Sequence, residues 1–97
     1  MNDYVFITGA TSGFGAACAR LFASKGYPLI ITGRREDRLL SLQNELKEKY
    51  KVDVQSLVMD VRDEQMVNKA VISLPDPIKK NISILINNAG LAVGRGP

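Results

Sequence analysis

The sequence predicts an α/β fold, a doubly wound parallel sheet in the order β-α-β-α-β-α-β. Three observations predict it. Short apolar, β-rich runs alternate with longer stretches whose apolar residues recur at the helical period. The segments between successive strands have the length of a crossover helix rather than a hairpin turn. A cluster of glycines stands directly after the first apolar run, where a strand gives way to a helix. Strands joined through amphipathic helices lie parallel, linked by right-handed crossovers, and this places helices on both faces of one sheet.

Each element has its own signal. Tyr4-Val5-Phe6-Ile7-Thr8 is a short apolar run ending at a glycine, as a buried strand does. From Phe14 the spacing becomes helical through Phe14, Ala17, Cys18, Leu21 and Phe22, and Gly26 ends that helix with Lys25 in its last turn. Leu29 to Thr32 is the second strand. Leu39, Leu42, Leu46 and Tyr50 form one apolar stripe on a charged helix. Val52 to Met59 is the third strand. Asp63 is the expected N-cap of a helix carrying Met66, Val67, Ala70, Val71 and Leu74, which Pro75 stops. Lys79 and Lys80 read as a solvated loop, and Ile82 to Ile86 is the fourth strand. Gly90 to Pro97 is glycine-rich and carries no further element.

Bulk composition narrows the function. The chain has 97 residues, 45% of them apolar, enough for one domain spanning residues 1–97 and no second one. Thirteen basic against ten acidic residues give a net charge of +3, with the basic residues spread along the chain. With six aromatics and no concentrated basic stripe, a nucleic-acid partner is not expected. One cysteine, Cys18, reads as a small core residue and cannot form an intrachain disulfide. The absence of histidine removes the usual metal sites and Ser-His-Asp catalysis. No signal peptide and no apolar run of membrane-spanning length is evident, so a soluble, cytoplasmic protein without a membrane partner is expected.

The chemistry-bearing segment is Thr8-Gly9-Ala10-Thr11-Ser12-Gly13-Phe14-Gly15. A pyrophosphate held at a helix N-terminus must approach the backbone closely and meet open N–H groups. Glycines at 9, 13 and 15 allow that approach and the dihedrals of the turn, while Thr11 and Ser12 add hydroxyls. No Lys-Ser or Lys-Thr follows, which excludes a Walker P-loop. A tight strand-to-helix turn without a ligand would use similar residues; the surrounding βαβ unit favours a dinucleotide. At the end of the second strand, an acidic residue would bind the ribose hydroxyls of NAD. Thr32-Gly33-Arg34-Arg35 has none there and offers two guanidiniums, which suit the 2′-phosphate of NADP. Glu36 and Asp37 could neutralise that pair, and the arginines could be solvated residues opening the next helix.

With these residues the sequence resembles the short-chain dehydrogenase/reductase family. The match comprises Thr8-Gly9-x-x-x-Gly13-x-Gly15, Asp60-Val61 at the end of the third strand, and Asn87-Asn88-Ala89-Gly90 at the end of the fourth. The wording is closest to the NADP-dependent 3-hydroxy acid dehydrogenases that act on serine and allo-threonine, with Phe14 where isoleucine is commoner. The resemblance implies a Rossmann-type sheet whose Gly9–Phe14 turn wraps the phosphates. It also implies that Arg34 and Arg35 bind the 2′-phosphate, and that Asp60 and Val61 face the adenine. Asn88, with Ala89 and Gly90, would lie near the cofactor ribose, and Asn87 would tie strands together. Asp60 and the Asn87-Asn88 pair could instead be plain turn residues.

The family's catalytic serine and Tyr-x-x-x-Lys are not found. The residues four beyond Tyr4, Tyr27 and Tyr50 are Thr8, Ile31 and Val54. The expectation is therefore the cofactor-binding N-terminal part of such an enzyme, truncated after its fourth strand and inactive alone. Its parent would be a homo-oligomer acting on a small molecule. A non-catalytic dinucleotide-binding module, or an inactive truncated product, is the alternative.

Overall fold

The computed structural model describes residues 3–59 and 64–87. In chain order the elements are β1 (Tyr4–Thr8), α1 (Gly13–Ser24), β2 (Leu29–Gly33), α2 (Glu36–Tyr50), β3 (Val54–Val58), α3 (Glu64–Ser73), α4 (Asp76–Lys79) and β4 (Ile82–Asn87). The four strands form one sheet in the order β3-β2-β1-β4, and every pairing is parallel. The expected Rossmann-type architecture is present.

The central strands β1 and β2 are buried on both faces, which is why each reads as a continuous apolar run rather than an alternation. Their side chains alternate between two cores. Val5, Ile7, Leu29 and Ile31 join Val54 in a core with Ala19 and Ala23 of α1 and Leu39, Leu42 and Leu46 of α2. Phe6 and Ile30 face the other way, onto Leu74, Val71 and Ile78. Strand order reverses at β1, between β2 on one side and β4 on the other. The carboxyl ends of the strands beside such a reversal flank the crevice where open α/β sheets take ligands.

The α2 stripe is as expected, with Leu39, Leu42 and Leu46 buried and Tyr50 packed at its end. Gln43 adds a polar clamp: its Nε2 donates to the Val54 carbonyl at 2.6 Å, and its Oε1 accepts from the Ser56 hydroxyl at 3.0 Å. The α1 stripe differs from expectation. Phe14 and Leu21 are 60% and 53% exposed, and Ala17 is exposed too. The face turned to the sheet is Gly15, Ala19 and Ala23, with Ala16, Cys18 and Phe22 packed alongside. Small residues win that face because the helix lies close against β1. Lys25 is the C-cap rather than a last-turn residue, and Gly26 follows at φ +89°, where glycine is favoured.

Three boundaries also move. β3 begins at Val54 and ends at Val58, shorter than the apolar run that signals it. Beyond Pro75 the chain makes one more helical turn, α4, with Pro77 at a first-turn position where its missing N–H is harmless. Lys79 belongs to that turn and pairs with Asp76 at 3.4 Å, so it is not loop. Met66 lies on the exposed side of α3 and Leu74 is buried just past its end. Asp63 lies outside the described residues.

At the amino ends of the strands, the Tyr4 phenol donates to the Asp53 carboxylate, which also accepts from Gln55 Nε2 at 3.2 Å. Burial, then the hydrogen bond to Asp53 and its negative charge, push the Tyr4 phenol from 10.0 up to about 12. A phenol raised in the folded state stabilises the fold fully below its unfolded pKa, and that contribution fades as pH climbs toward the folded value. Melting temperature should therefore fall between pH 10 and about 12 more steeply for the native chain than for Tyr4→Phe; parallel curves would contradict the coupling. In the core, Leu46→Ala should cost about 2–5 kcal/mol in urea unfolding, whereas the exposed Leu40→Ala should cost less than about 1 kcal/mol.

Candidate functional site

The glycine turn is fixed by a small set of bonds at the carboxyl end of β1. Gly9 has φ +62°, which a side-chain-bearing residue rarely adopts. Its carbonyl accepts from the Ser12 N–H at 3.2 Å and from the Ser12 hydroxyl at 2.9 Å. Ser12 is the N-cap of α1, with extended backbone (φ −74°, ψ 163°), and its Oγ accepts from the Gly15 N–H at 3.2 Å. Its hydroxyl thus closes the turn on itself.

The three glycines turn out to do three different things. At Gly15 a Cβ would stand 2.3 Å from the Gly9 carbonyl oxygen and 3.0 Å from the Ala10 Cα, so the helix can lie on the turn only without one. At Gly13 a Cβ would meet nothing within 4 Å. Gly13 therefore leaves open space at the first position of α1, where backbone N–H groups lack intrahelical partners and the dipole is positive. Gly9 supplies the left-handed turn.

The turn is tied to its neighbours. Ala10 N–H donates to the Thr32 carbonyl at 2.8 Å, and Met59 N–H donates to the Gly33 carbonyl at 3.0 Å. The ends of β1, β2 and β3 are thereby held side by side. Gly33 is also a packing glycine: a Cβ there would press on the Thr11 methyl at 3.1 Å and its hydroxyl at 3.3 Å. Sequence reasoning missed this contact. The available signal was a glycine closing a β-rich run, which marks close approach by another backbone or side chain.

Arg34 and Arg35 follow immediately, both exposed. Arg35 is the N-cap of α2 yet makes no side-chain capping bond, and its carbonyl accepts from Leu39 N–H at 3.0 Å. Among the described residues neither arginine pairs with Glu36, Asp37 or any other carboxylate. The possibility that those acids neutralise them is not realised. Cations at a helix N-terminus cost roughly 0.3–1 kcal/mol, and Glu36 and Asp37 share the first turn with them without forming a close ion pair. The contrast is Arg20 on α1, which grips Glu45 of α2 through two bonds at 2.7 and 3.1 Å. That hydrogen bonding, with the Arg20 charge, holds the Glu45 carboxyl below its ordinary value.

Between α1 and α2 the surface opens into a cleft of about 420 Å³, whose walls include Thr11, Arg20, Asp37, Arg38 and Glu45. Gly9, Ala10, Thr11, Ser12, Gly13, Phe14 and Gly15 thus lie beside the β2 end that leads into Arg34 and Arg35, at the carboxyl end of the sheet. Asp60, Val61, Asn88, Ala89 and Gly90 lie outside the described residues. Asn87 pairs in register with Thr8.

Residues 3–97 match the family model described as short chain dehydrogenase, and the chain belongs to that family. It is 50% identical over 97 residues to sulfoacetaldehyde reductase 2 of Chromohalobacter salexigens, and 45% identical over 97 residues to serine 3-dehydrogenase of Agrobacterium fabrum. Each match takes in 100% of this chain and 37% of the relative, so the chain spans little more than a third of their length. Among solved structures it is similar to a short-chain dehydrogenase from Sphingobium yanoikuyae in complex with NADPH. There the TM-score is 0.78 and the identity 36%, over 89% of this chain and 33% of that one. Among the described residues no helix is long and apolar enough to cross a membrane.

The two helical glycines should separate in unfolding experiments. Gly15→Ala is expected to destabilise by about 1–3 kcal/mol or more, because helix and turn must move apart. Gly13→Ala should stay within about 0.5 kcal/mol of the native chain. Equal effects of the two, in denaturant titrations, would contradict the packing described.

Proposed function

We propose that residues 1–97 form the NADP-binding Rossmann portion of an oxidoreductase. Its reaction is hydride transfer between the dinucleotide and a small hydroxyl- or carbonyl-bearing substrate. The observation that carries this reading is the glycine turn. Space without a Cβ at Gly13, a capped helix N-terminus behind it, and a turn held rigid by Gly9 and Gly15 suit a pyrophosphate. A plain connecting turn has no need of open space at its first helical residue.

The residues fit NADP rather than NAD. The β2 end carries no carboxylate to hold free ribose hydroxyls, and among the described residues its two arginines form no ion pair, leaving them to a 2′-phosphate. The NADPH complex of the Sphingobium yanoikuyae relative supports the same choice. Gly9 to Gly15 would hold the phosphates and Arg34 with Arg35 the 2′-phosphate. By family resemblance, Asp60 and Val61 would face the adenine, and Asn88, Ala89 and Gly90 the ribose. When bound, the nicotinamide supplies hydride exchange. The chain's own part is to orient the dinucleotide through backbone N–H groups and guanidiniums at the carboxyl ends of β1 and β2.

The substrate class follows from what the relatives share. Sulfoacetaldehyde and serine both place one carbon between an anionic group and the carbon that is oxidised or reduced. We assign to the whole protein a short substrate of that pattern, such as a 3-hydroxy acid. A homo-oligomeric, cytoplasmic enzyme is part of the same reading.

Binding tests it directly. NADP should raise the melting temperature of the purified protein more than NAD at equal concentration; a ligand at a hundred times its Kd contributes about 2.7 kcal/mol. Arg34→Asp should weaken NADP at least about tenfold, equivalent to about 1.4 kcal/mol, and favour NAD. Gly13→Ala should weaken both dinucleotides while leaving the unliganded melting temperature in place. Equal protection by NAD and NADP in the native chain would overturn the cofactor assignment.

A further inference from the structure

We propose that Arg38 is a third cation of the 2′-phosphate subsite and a determinant of NADP over NAD. This rests on the dinucleotide reading above and extends it to a residue outside the recognised β2-end motif. Arg38 is three residues beyond Arg35, the N-cap of α2. An N-cap side chain and the side chain three positions later lie over the same first helical turn, as reciprocal capping pairs do. Here both positions hold arginine and no capping bond forms from Arg35. Two arginines therefore stand on one helical turn, with Arg34 immediately before them.

Arg38 is also on the wall of the α1–α2 cleft together with Thr11. Thr11 belongs to the glycine turn and lies against Gly33, the residue just before Arg34. The cleft thus connects the phosphate-binding turn with the start of α2, and Arg38 faces it from the α2 side. Of the other charges on its walls, two cancel and one carboxylate, Asp37, remains. Arg20 and Glu45 neutralise each other through their double hydrogen bond. Asp37 shares the cleft with Arg38, yet the two form no ion pair. Among the described residues Arg38 has no carboxylate partner at all, although the chain pairs Arg20 completely a short way along the same cleft. A 2′-phosphate carries more than one negative charge at neutral pH and takes several charge-assisted hydrogen bonds, which a single guanidinium does not exhaust.

The test uses two probes that differ only in the 2′-phosphate, adenosine 2′,5′-bisphosphate and adenosine 5′-monophosphate. Their affinities would be measured by calorimetry on the purified protein and on Arg38→Gln and Arg38→Lys. Arg38→Gln should weaken the bisphosphate about tenfold and leave the monophosphate within twofold. Arg38→Lys should recover part of the loss, since it restores the charge without the fork. Unchanged bisphosphate binding, or equal weakening of both probes, would overturn the role of Arg38. A native chain that binds the two probes equally would overturn the NADP reading itself, and the Arg38 proposal with it. Arg38 is exposed, so both variants should melt within a few degrees of the native protein. If Arg38→Gln melts early, Arg38→Lys against added salt decides. A native-like salt dependence of bisphosphate binding there supports a charge role, and a loss equal for both probes refutes it.

Discussion

The first turn of α1 sits on the Gly9 carbonyl with no room for a side chain at residue 15, and much of the molecule's arrangement follows from that approach. Because the helix comes so close, its inward face must be small, and Gly15, Ala19 and Ala23 fill it. Because Gly9 is then confined to a left-handed conformation, the turn closes on Ser12 and points the helix start toward the carboxyl ends of the strands. A larger residue at 15 would push the helix off the turn and loosen the Ser12 cap together.

That turn does not stand alone. Backbone bonds from Ala10 to Thr32 and from Met59 to Gly33 link three strand ends, so the candidate site is assembled by the sheet rather than by one loop. The α2 helix is secured from two directions, by Arg20 to Glu45 on the α1 side and by Gln43 to Val54 and Ser56 on the β3 side. Its amino end, with the arginines, is therefore carried at a fixed distance from the glycine turn. Binding groups on rigid, mutually braced elements lose less freedom when a ligand arrives.

The strand-helix alternation and the Leu39, Leu42, Leu46 stripe were legible because burial of whole faces imposes a period on the sequence. The glycine turn was legible because three glycines beside a strand have few other uses. What escaped was set by tertiary contact. Phe14 and Leu21 look like core residues by spacing, yet the close approach of α1 gives the inner face to alanines. Ser12 also caps the helix, its Oγ accepting from Gly15 N–H, a bond that depends on how the turn closes. Gly33 packs on Thr11 across 22 residues of chain, and no local pattern announces such a partner. The one-turn α4 is too short for periodicity to register at all.

The position of β1 also bears on how the chain folds. One flank of β1 is completed by β2, with Ile7 and Thr32 only 25 residues apart in sequence. Its other flank is completed by β4, where the Thr8 hydroxyl donates to the Ile86 carbonyl 78 residues away. Closing the longer loop costs more chain entropy and contributes late, after the nearer pairings exist to receive it. During synthesis, therefore, the central strand would spend an interval with one ladder unpaired. For that interval, Thr8 and the glycine turn would be braced through β2 alone.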